Sequence, residues 1–268
     1  KVLLVLDLAR SRSALLSIGE PALGALLAAG GLPSVRVLLL GLLAALAGYF
    51  CVYALNDLLD LKADRKEIEL ASADPLLWRP VVGHVDITTL RHPVAAGALP
   101  LWLAIVWVSA LGVIGLVAAY LLRPLCAWLF IGCAVLQVIY CCLRQKTWLK
   151  VIPAGVMVGV GGLAGWFAVG EAGWGAAAFF VLLVIWEIFG RNLSNDLADV
   201  DHDRLLGITT LASVHGKKAA VRGIVVGAWA LPLAALVQQG RWPERAIIAV
   251  VAVLTVAWPA LRLPRSGG

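Results

Sequence analysis

The chain has 268 residues, of which 62% are hydrophobic and 14% charged, and its formal net charge is +6. Soluble globular domains are roughly half apolar and about a quarter charged, so disorder, a fibrous repeat and a soluble multidomain enzyme are excluded in favour of one polytopic membrane domain. The basic residues fall between long apolar runs, so the positive charge reads as membrane topology and not as a nucleic-acid surface.

A membrane-spanning helix needs about 20 mostly apolar residues. Eight such segments follow in chain order, near 13–30, 35–55, 99–121, 124–142, 151–170, 174–193, 219–238 and 246–262. Even-numbered spans are followed by long polar connections at 56–98, 143–150 and 194–218, and odd-numbered spans by tight turns. With the N-terminus and the long loops on one side, that side holds 18 of the 22 Lys and Arg residues. The bias predicts that this side is cytoplasmic. Glycines at Gly155/Gly159 and Gly161/Gly165 predict closely packed membrane helices. The five cysteines (Cys51, Cys126, Cys133, Cys141, Cys142) have no metal-ligand spacing and read as small core residues. His84, His92, His202 and His215 lack such spacing too, and none is assigned a role.

One internal repeat stands out. Asn56-Asp57-Leu58-Leu59-Asp60-Leu61-Lys62-Ala63-Asp64-Arg65 and Asn195-Asp196-Leu197-Ala198-Asp199-Val200-Asp201-His202-Asp203-Arg204 both obey N-D-L-x-D-x-x-x-D-R, each after an even-numbered span. The chain therefore reads as one domain of two related halves, about 10–143 and 144–265. If each helix continues through its motif, Asn56, Asp60 and Asp64 share one face, as do Asn195, Asp199 and Asp203. Like charges at this spacing, in a poor helix former, at the helix end that repels anions, break three local rules at once. Such violations mark function. Oxygen-only, carboxylate-rich sites suit Mg²⁺, which characteristically bridges carboxylates to a substrate phosphate. Asn56, Asp57, Asp60, Asp64, Asp196, Asp199 and Asp203 are the candidate ligands, for two or more ions around a diphosphate.

Arg65, Arg204, Arg144, Lys146 and Lys150 supply cations for phosphate oxygens. Two carboxylates fall within spans, where charge is costly. Glu20 is a candidate to polarise an acceptor. Glu187 is expected either under the second cluster or paired with Arg191. Tyr140 is expected to face the cavity or to anchor at the interface.

These motifs resemble the UbiA superfamily of intramembrane prenyltransferases. N-D-x-x-D-x-x-x-D follows the second span, and Asp203-Arg204-Leu205-Leu206-Gly207-Ile208-Thr209-Thr210-Leu211 is similar to the family's D-R-x-x-G-x-x-T-L run. Arg91-His92-Pro93-Val94-Ala95-Ala96-Gly97 resembles the R-P-L-A-S-G segment, with His92 where the family has arginine, and Tyr140 to Lys150 resembles the tyrosine-and-lysine segment. The resemblance implies an all-α bundle of eight or nine transmembrane helices around a central cavity. It implies an integral protein of a prokaryotic inner or plasma membrane, with its active site facing the cytoplasm. Asp60, Asp64, Asp199 and Asp203, with Asn56, become the catalytic metal and diphosphate ligands. Asn195 takes the place of an amide found in some members, and Arg65, Arg204 and Lys146 become diphosphate contacts. The substrates implied are a prenyl diphosphate and a small-molecule acceptor, an aromatic ring of quinone or lipid biosynthesis foremost. The alternatives are a sugar phosphate, a porphyrin-type acceptor, or cyclisation of the prenyl chain itself. The loop from Asp64 to Arg91 is longer than the family's. A CDP-alcohol phosphotransferase is disfavoured because Asp60 to Arg65 lacks that motif's glycine. A cation transporter is disfavoured because its ligands belong at the bilayer midplane.

Overall fold

In the computed structural model, which describes residues 2–73 and 92–236, every predicted span within that range is helical. α1 (Val2–Leu8) and α2 (Ser11–Ser17) meet at Arg10, whose φ of 42° turns the chain. α3 (Gly19–Ala29) completes the first predicted span, which is kinked. Pro21 has no N–H for the Ser17 carbonyl, and its ring crowds that carbonyl, so the helix breaks one turn earlier. α4 (Val35–Leu59) is the second span and α5 (Leu61–Ala73) follows it. α6 (Leu101–Leu122) and α7 (Pro124–Leu143) are joined through Arg123, with Pro124 at the first helical position, where its missing N–H costs nothing. A 3₁₀ turn at Trp148–Lys150 leads into α8 (Val151–Phe167). Then come α9 (Trp174–Ile185), a π-helical segment (Trp186–Asn192), α10 (Leu193–Ala198), α11 (Val200–Leu206), α12 (Leu211–His215) and α13 (Lys217–Leu236).

Among the described residues five helical stretches are long and apolar enough to cross a membrane, and Ala14–Ala29 is a shorter apolar one. The predicted span at 246–262, any ninth helix, Arg91 and most of the long loop lie outside the described residues. The described start of that loop is helical, as α5.

Side chains are sorted as a bilayer requires. Leu39, Trp102, Val113, Val117 and Trp128 are exposed, while Ala54, Ala104, Ala118 and Ala119 are buried. Lipid tails are as apolar as leucine, so burial of large residues does not drive helix association, and small residues let backbones approach. The closest approach joins α3 to α8. A Cβ on Gly165 would lie 1.9 Å from the Pro21 carbonyl oxygen, and one on Gly24 would lie 2.5 Å from the Gly162 oxygen. Gly155 and Gly159 face Ile188 and Phe180 in the same manner, as the glycine pattern predicts.

The expected unbroken helix through each aspartate motif is corrected. α4 ends at Leu59 and α10 at Ala198, and the next residue in each motif, Asp60 (φ −92°, ψ 4°) and Asp199 (φ −98°, ψ 7°), is not helical. The chain then re-enters a helix in both motifs. The backbone N–H of Asp60 donates to the Asn56 carbonyl at 2.9 Å, and that of Asp199 to Asn195 at 2.9 Å. Those of Asp64 and Asp203 in turn donate to the Asp60 and Asp199 carbonyls. The repeat in sequence is a repeat in backbone shape. Crowded carboxylates at a helix C-terminus are relieved by bending the chain at the middle one.

Candidate active site

The first motif is held by groups from four other elements. The Asn56 Oδ1 accepts from Gln137 Nε2 at 3.1 Å and from Cys141 Sγ at 3.4 Å, both on α7. Asp57 is buried and bonds Arg10 at 3.0 Å, with His92 Nδ1 3.7 Å away. Asp60 is paired with Arg144, just beyond α7. Burial raises the Asp60 carboxyl above the usual range, opposed by Arg144 and reinforced by Asp64. Asp64 is fully buried, with His92 Nδ1 at 2.9 Å.

The second motif has its own partner in Lys150. Lys150 is buried and lies 3.7 Å from Asp196. Asp199 is half-buried and Asn195 exposed. Asp203 is buried, and its carboxyl is pushed up to about 6 by burial, opposed by Lys150 and raised further by Asp196 and Asp199. The positive charge of Arg144, which is paired with Asp60, also opposes the rise at Asp203, more weakly than Lys150 does. A second link joins them directly: Glu67, on α5, lies 3.4 Å from His202 on α11. Gly207 ends α11 with φ 71°, a conformation glycine adopts without strain. The chain thereby turns so that Thr209 Oγ1 donates to the Gln145 carbonyl at 2.9 Å and Thr209 N to that of Arg144 at 3.3 Å. The glycine-and-threonine run thus fixes the loop that carries Arg144.

The structure brings Asn56, Asp57, Asp60 and Asp64 together, and it brings Asp196 and Asp203 to Lys150 and Arg144. It leaves Arg65 and Lys146 exposed, and Arg204 exposed 3.7 Å from Asp201. Tyr140 is half-buried one turn before Arg144. Glu20 stands apart from the aspartates, at the Pro21 kink, bonded to Tyr49 and Arg191. Glu187 pairs with Arg191 at 3.0 Å, one of the two arrangements expected for it.

Three residues that hold the site, Arg10, Glu67 and Gln137, carry no signal in the sequence, and a fourth, His92, is marked there only by its place in the segment that resembles R-P-L-A-S-G. His92 had no assigned role because it is 28 residues from Asp64. It stands at φ 52°, left-handed for a non-glycine residue, with its ring buried between Asp57 and Asp64. Its pKa is raised: burial alone would lower it, and hydrogen bonding to Asp57 and Asp64 outweighs that. The only hint in the sequence is the His92-Pro93 pair.

The donor chemistry fits a hard cation. Asn56, Asp60, Asp64, Asp199 and Asp203 offer oxygen ligands, and the buried Asp64 carboxylate keeps its Oδ1 without a hydrogen bond while Oδ2 faces His92 Nδ1. Below the first motif, toward the bilayer interior, lies an apolar cavity of about 450 Å³. It is lined by Tyr49, Val52 and Leu55 at the motif end and by Pro33, Val37 and Leu122 at the far end. From Leu55 to Val37 α4 rises roughly 27 Å at 1.5 Å per residue, so the cavity runs along most of one span.

The fold has close relatives among solved structures. A UbiA homologue from Archaeoglobus fulgidus, determined with DMAPP and Mg²⁺, superposes with a TM-score of 0.76 at 16% identity, covering 96% of this chain and 86% of that one. The apo UbiA homologue from Aeropyrum pernix K1 gives a TM-score of 0.69 at 19% identity over 93% and 89%. A digeranylgeranylglyceryl phosphate synthase gives 0.71 at 18% over 98% and 87%. At such identities these likenesses speak for the fold. No curated protein sequence matches the chain. The UbiA prenyltransferase family model matches residues 21–267, nearly the whole chain. With its paired aspartate motifs over an apolar cavity, the chain belongs to the UbiA prenyltransferase family and is an integral membrane prenyltransferase.

Proposed function

We propose that the protein transfers a prenyl group from a prenyl diphosphate to an aromatic ring, in quinone or lipid biosynthesis, with two or more Mg²⁺ ions at the aspartate motifs. One observation carries the reading: two motifs share the same backbone break, Arg144 pairs with the first and its charge bears on the second, and the first adjoins a long apolar cavity that begins at Leu55. Asn56, Asp60, Asp64, Asp199 and Asp203 would hold Mg²⁺, which when bound supplies Lewis-acid stabilisation of the leaving diphosphate. Arg144 and Lys150 are placed to take diphosphate oxygens, since each already balances an aspartate of the site. Arg65, Lys146 and Arg204 are exposed, Arg204 beside Asp201, and would close on the outer oxygens. The cavity receives the tail and keeps water from the allylic carbon. The related backbone breaks support one domain of two halves, about 10–143 and 144–265. The clustering of basic residues supports a cytoplasmic site in a prokaryotic membrane.

The experiment is mass spectrometry of products from the purified protein, Mg²⁺, prenyl diphosphates of several lengths and a panel of aromatic acceptors. Prenylated acceptor is expected, and Asp60→Ala and Asp199→Ala should each lower its rate by at least a hundredfold without unfolding. A cyclised hydrocarbon formed without acceptor, or full activity in either variant, contradicts the reading.

A further inference from the structure

Beside the motif end of the apolar cavity lies a belt of polar side chains to which the transfer reading gives no task. Glu20 Oε2 accepts a hydrogen bond from the Tyr49 hydroxyl at 2.6 Å. Glu20 Oε1 accepts one from Arg191 Nη1 at 3.2 Å. Arg191 Nε stands 3.0 Å from Glu187 Oε2, and Asn192 Nδ2 donates to Glu187 Oε1 at 2.9 Å. Ser17 Oγ and the Tyr53 hydroxyl are 3.4 Å apart. Tyr53 and Tyr49 precede Asn56 by three and seven residues on α4, so the belt lies roughly 5–10 Å below the first motif at 1.5 Å per residue. Arg191 precedes Asn195 by four, which places it at a matching depth. Tyr49 also lines the cavity.

Helix packing alone does not account for this composition. Two carboxylates share one guanidinium at a depth where charge is costly. Glu187 Oε2 is buried and has no hydrogen bond, only the ion pair. Arg191 keeps a third of its side chain exposed, and Glu20 about an eighth. Arg191 and Glu187 belong to the π-helical segment, and such turns recur at functional positions. A prenyl diphosphate with its headgroup at the aspartates and its tail in the cavity passes this belt at the allylic carbon and first double bond. Negative charge is best placed where positive charge develops.

We propose that Glu20 is the catalytic base that takes the acceptor's proton, and that the belt selects a phenolic acceptor that is neutral over one that carries a carboxylate. The proposal rests on the transfer reading above. The bond between C1 and the bridging oxygen breaks, and its electron pair leaves on the diphosphate. A ring carbon of the acceptor forms the new bond to C1 as the phenolic proton passes to the Glu20 carboxylate. The resulting dienone regains aromaticity when the ring proton shifts to the oxygen. Nothing is oxidised or reduced, and Glu20 returns its proton to water. The Tyr49 hydroxyl orients the carboxylate, and Arg191 holds its other oxygen. An acceptor with a carboxylate of its own meets repulsion from Glu20 and Glu187 together.

The test uses the full chain in detergent with Mg²⁺, geranylgeranyl diphosphate, and two acceptor probes: hydroquinone, and 4-hydroxybenzoate, which carries a carboxylate. Donor binding and product formation are measured separately. The wild type is expected to prefer hydroquinone. Glu20→Gln is expected to bind the donor within about twofold of wild type and to lose transfer by about 10²–10⁴-fold. Tyr49→Phe, which keeps the carboxylate and loses its orienting bond, should lower kcat about tenfold with unchanged donor binding. Wild-type transfer by Glu20→Gln, joint loss of binding and transfer in it, no product with either probe, or a preference for 4-hydroxybenzoate overturns the proposal. A wild type that does not bind geranylgeranyl diphosphate contradicts the transfer reading instead.

Discussion

His92 holds two buried carboxylates in the first motif and does so from a left-handed backbone conformation. Its folded pKa lies above the ordinary value of 6.5, because the Asp57 and Asp64 hydrogen bonds outweigh the burial that opposes protonation. A raised pKa means that the folded chain binds the proton more tightly than the unfolded one. The stabilisation is therefore complete below about pH 6.5 and is lost as the pH rises through the folded value. His92→Gln in EDTA should be less stable than wild type by about 1–3 kcal/mol at pH 6, with the gap narrowing toward pH 9. Thermal unfolding in detergent across that range checks it, and a gap that widens with pH refutes it. The residues that form the motifs were legible because they recur in a fixed pattern. The residues that hold them were not, because Arg10, Gln137 and His92 reach the motif from distant segments. The belt residues Glu20, Tyr49 and Arg191 are likewise separated by 29 and 171 positions.

α3 and α8 meet backbone to backbone, so their contact admits no added atom at Gly165. A side chain there must displace the Pro21 carbonyl or part the helices. Gly165→Val should therefore destabilise the protein by about 1–3 kcal/mol or more and move Glu20, next to Pro21, out of register with Tyr49. Gly41→Ala, where a Cβ meets nothing within 4 Å, is the control and should be nearly neutral. Unfolding midpoints for the two variants settle it, and equal midpoints would show that the close approach carries no energy. At this scale the spans among the described residues were readable to within a few residues because apolar length alone dictates them. The breaks at Asp60 and Asp199 were not, because a four-residue spacing fits a continuous helix as well as one bent at its middle aspartate. The π-helical segment was hidden for a similar reason. Asn192 holds it open by donating to both the Glu187 carbonyl and carboxylate, contacts that no apolar period records.

The two motifs share one backbone shape, and the sequence pattern puts most basic residues in the connections that carry them. That asymmetry predicts a topology. In a cysteine-free background, Lys146→Cys should be shielded in intact cells from a membrane-impermeant maleimide. Leu32→Cys, exposed at the turn before α4, should be labelled. The reverse pattern would put the aspartates on the outer face. The account as a whole depends on both motifs acting on one headgroup, with Arg144 paired to the first and its charge bearing on the second. The most direct measurement is equilibrium binding of a non-reactive prenyl thiodiphosphate to the wild type, Asp60→Asn and Asp199→Asn, each with and without Mg²⁺. Binding that requires Mg²⁺ and is lost by at least tenfold in each variant is the predicted result. Binding that needs no Mg²⁺, or that survives intact when either motif is altered, contradicts the account.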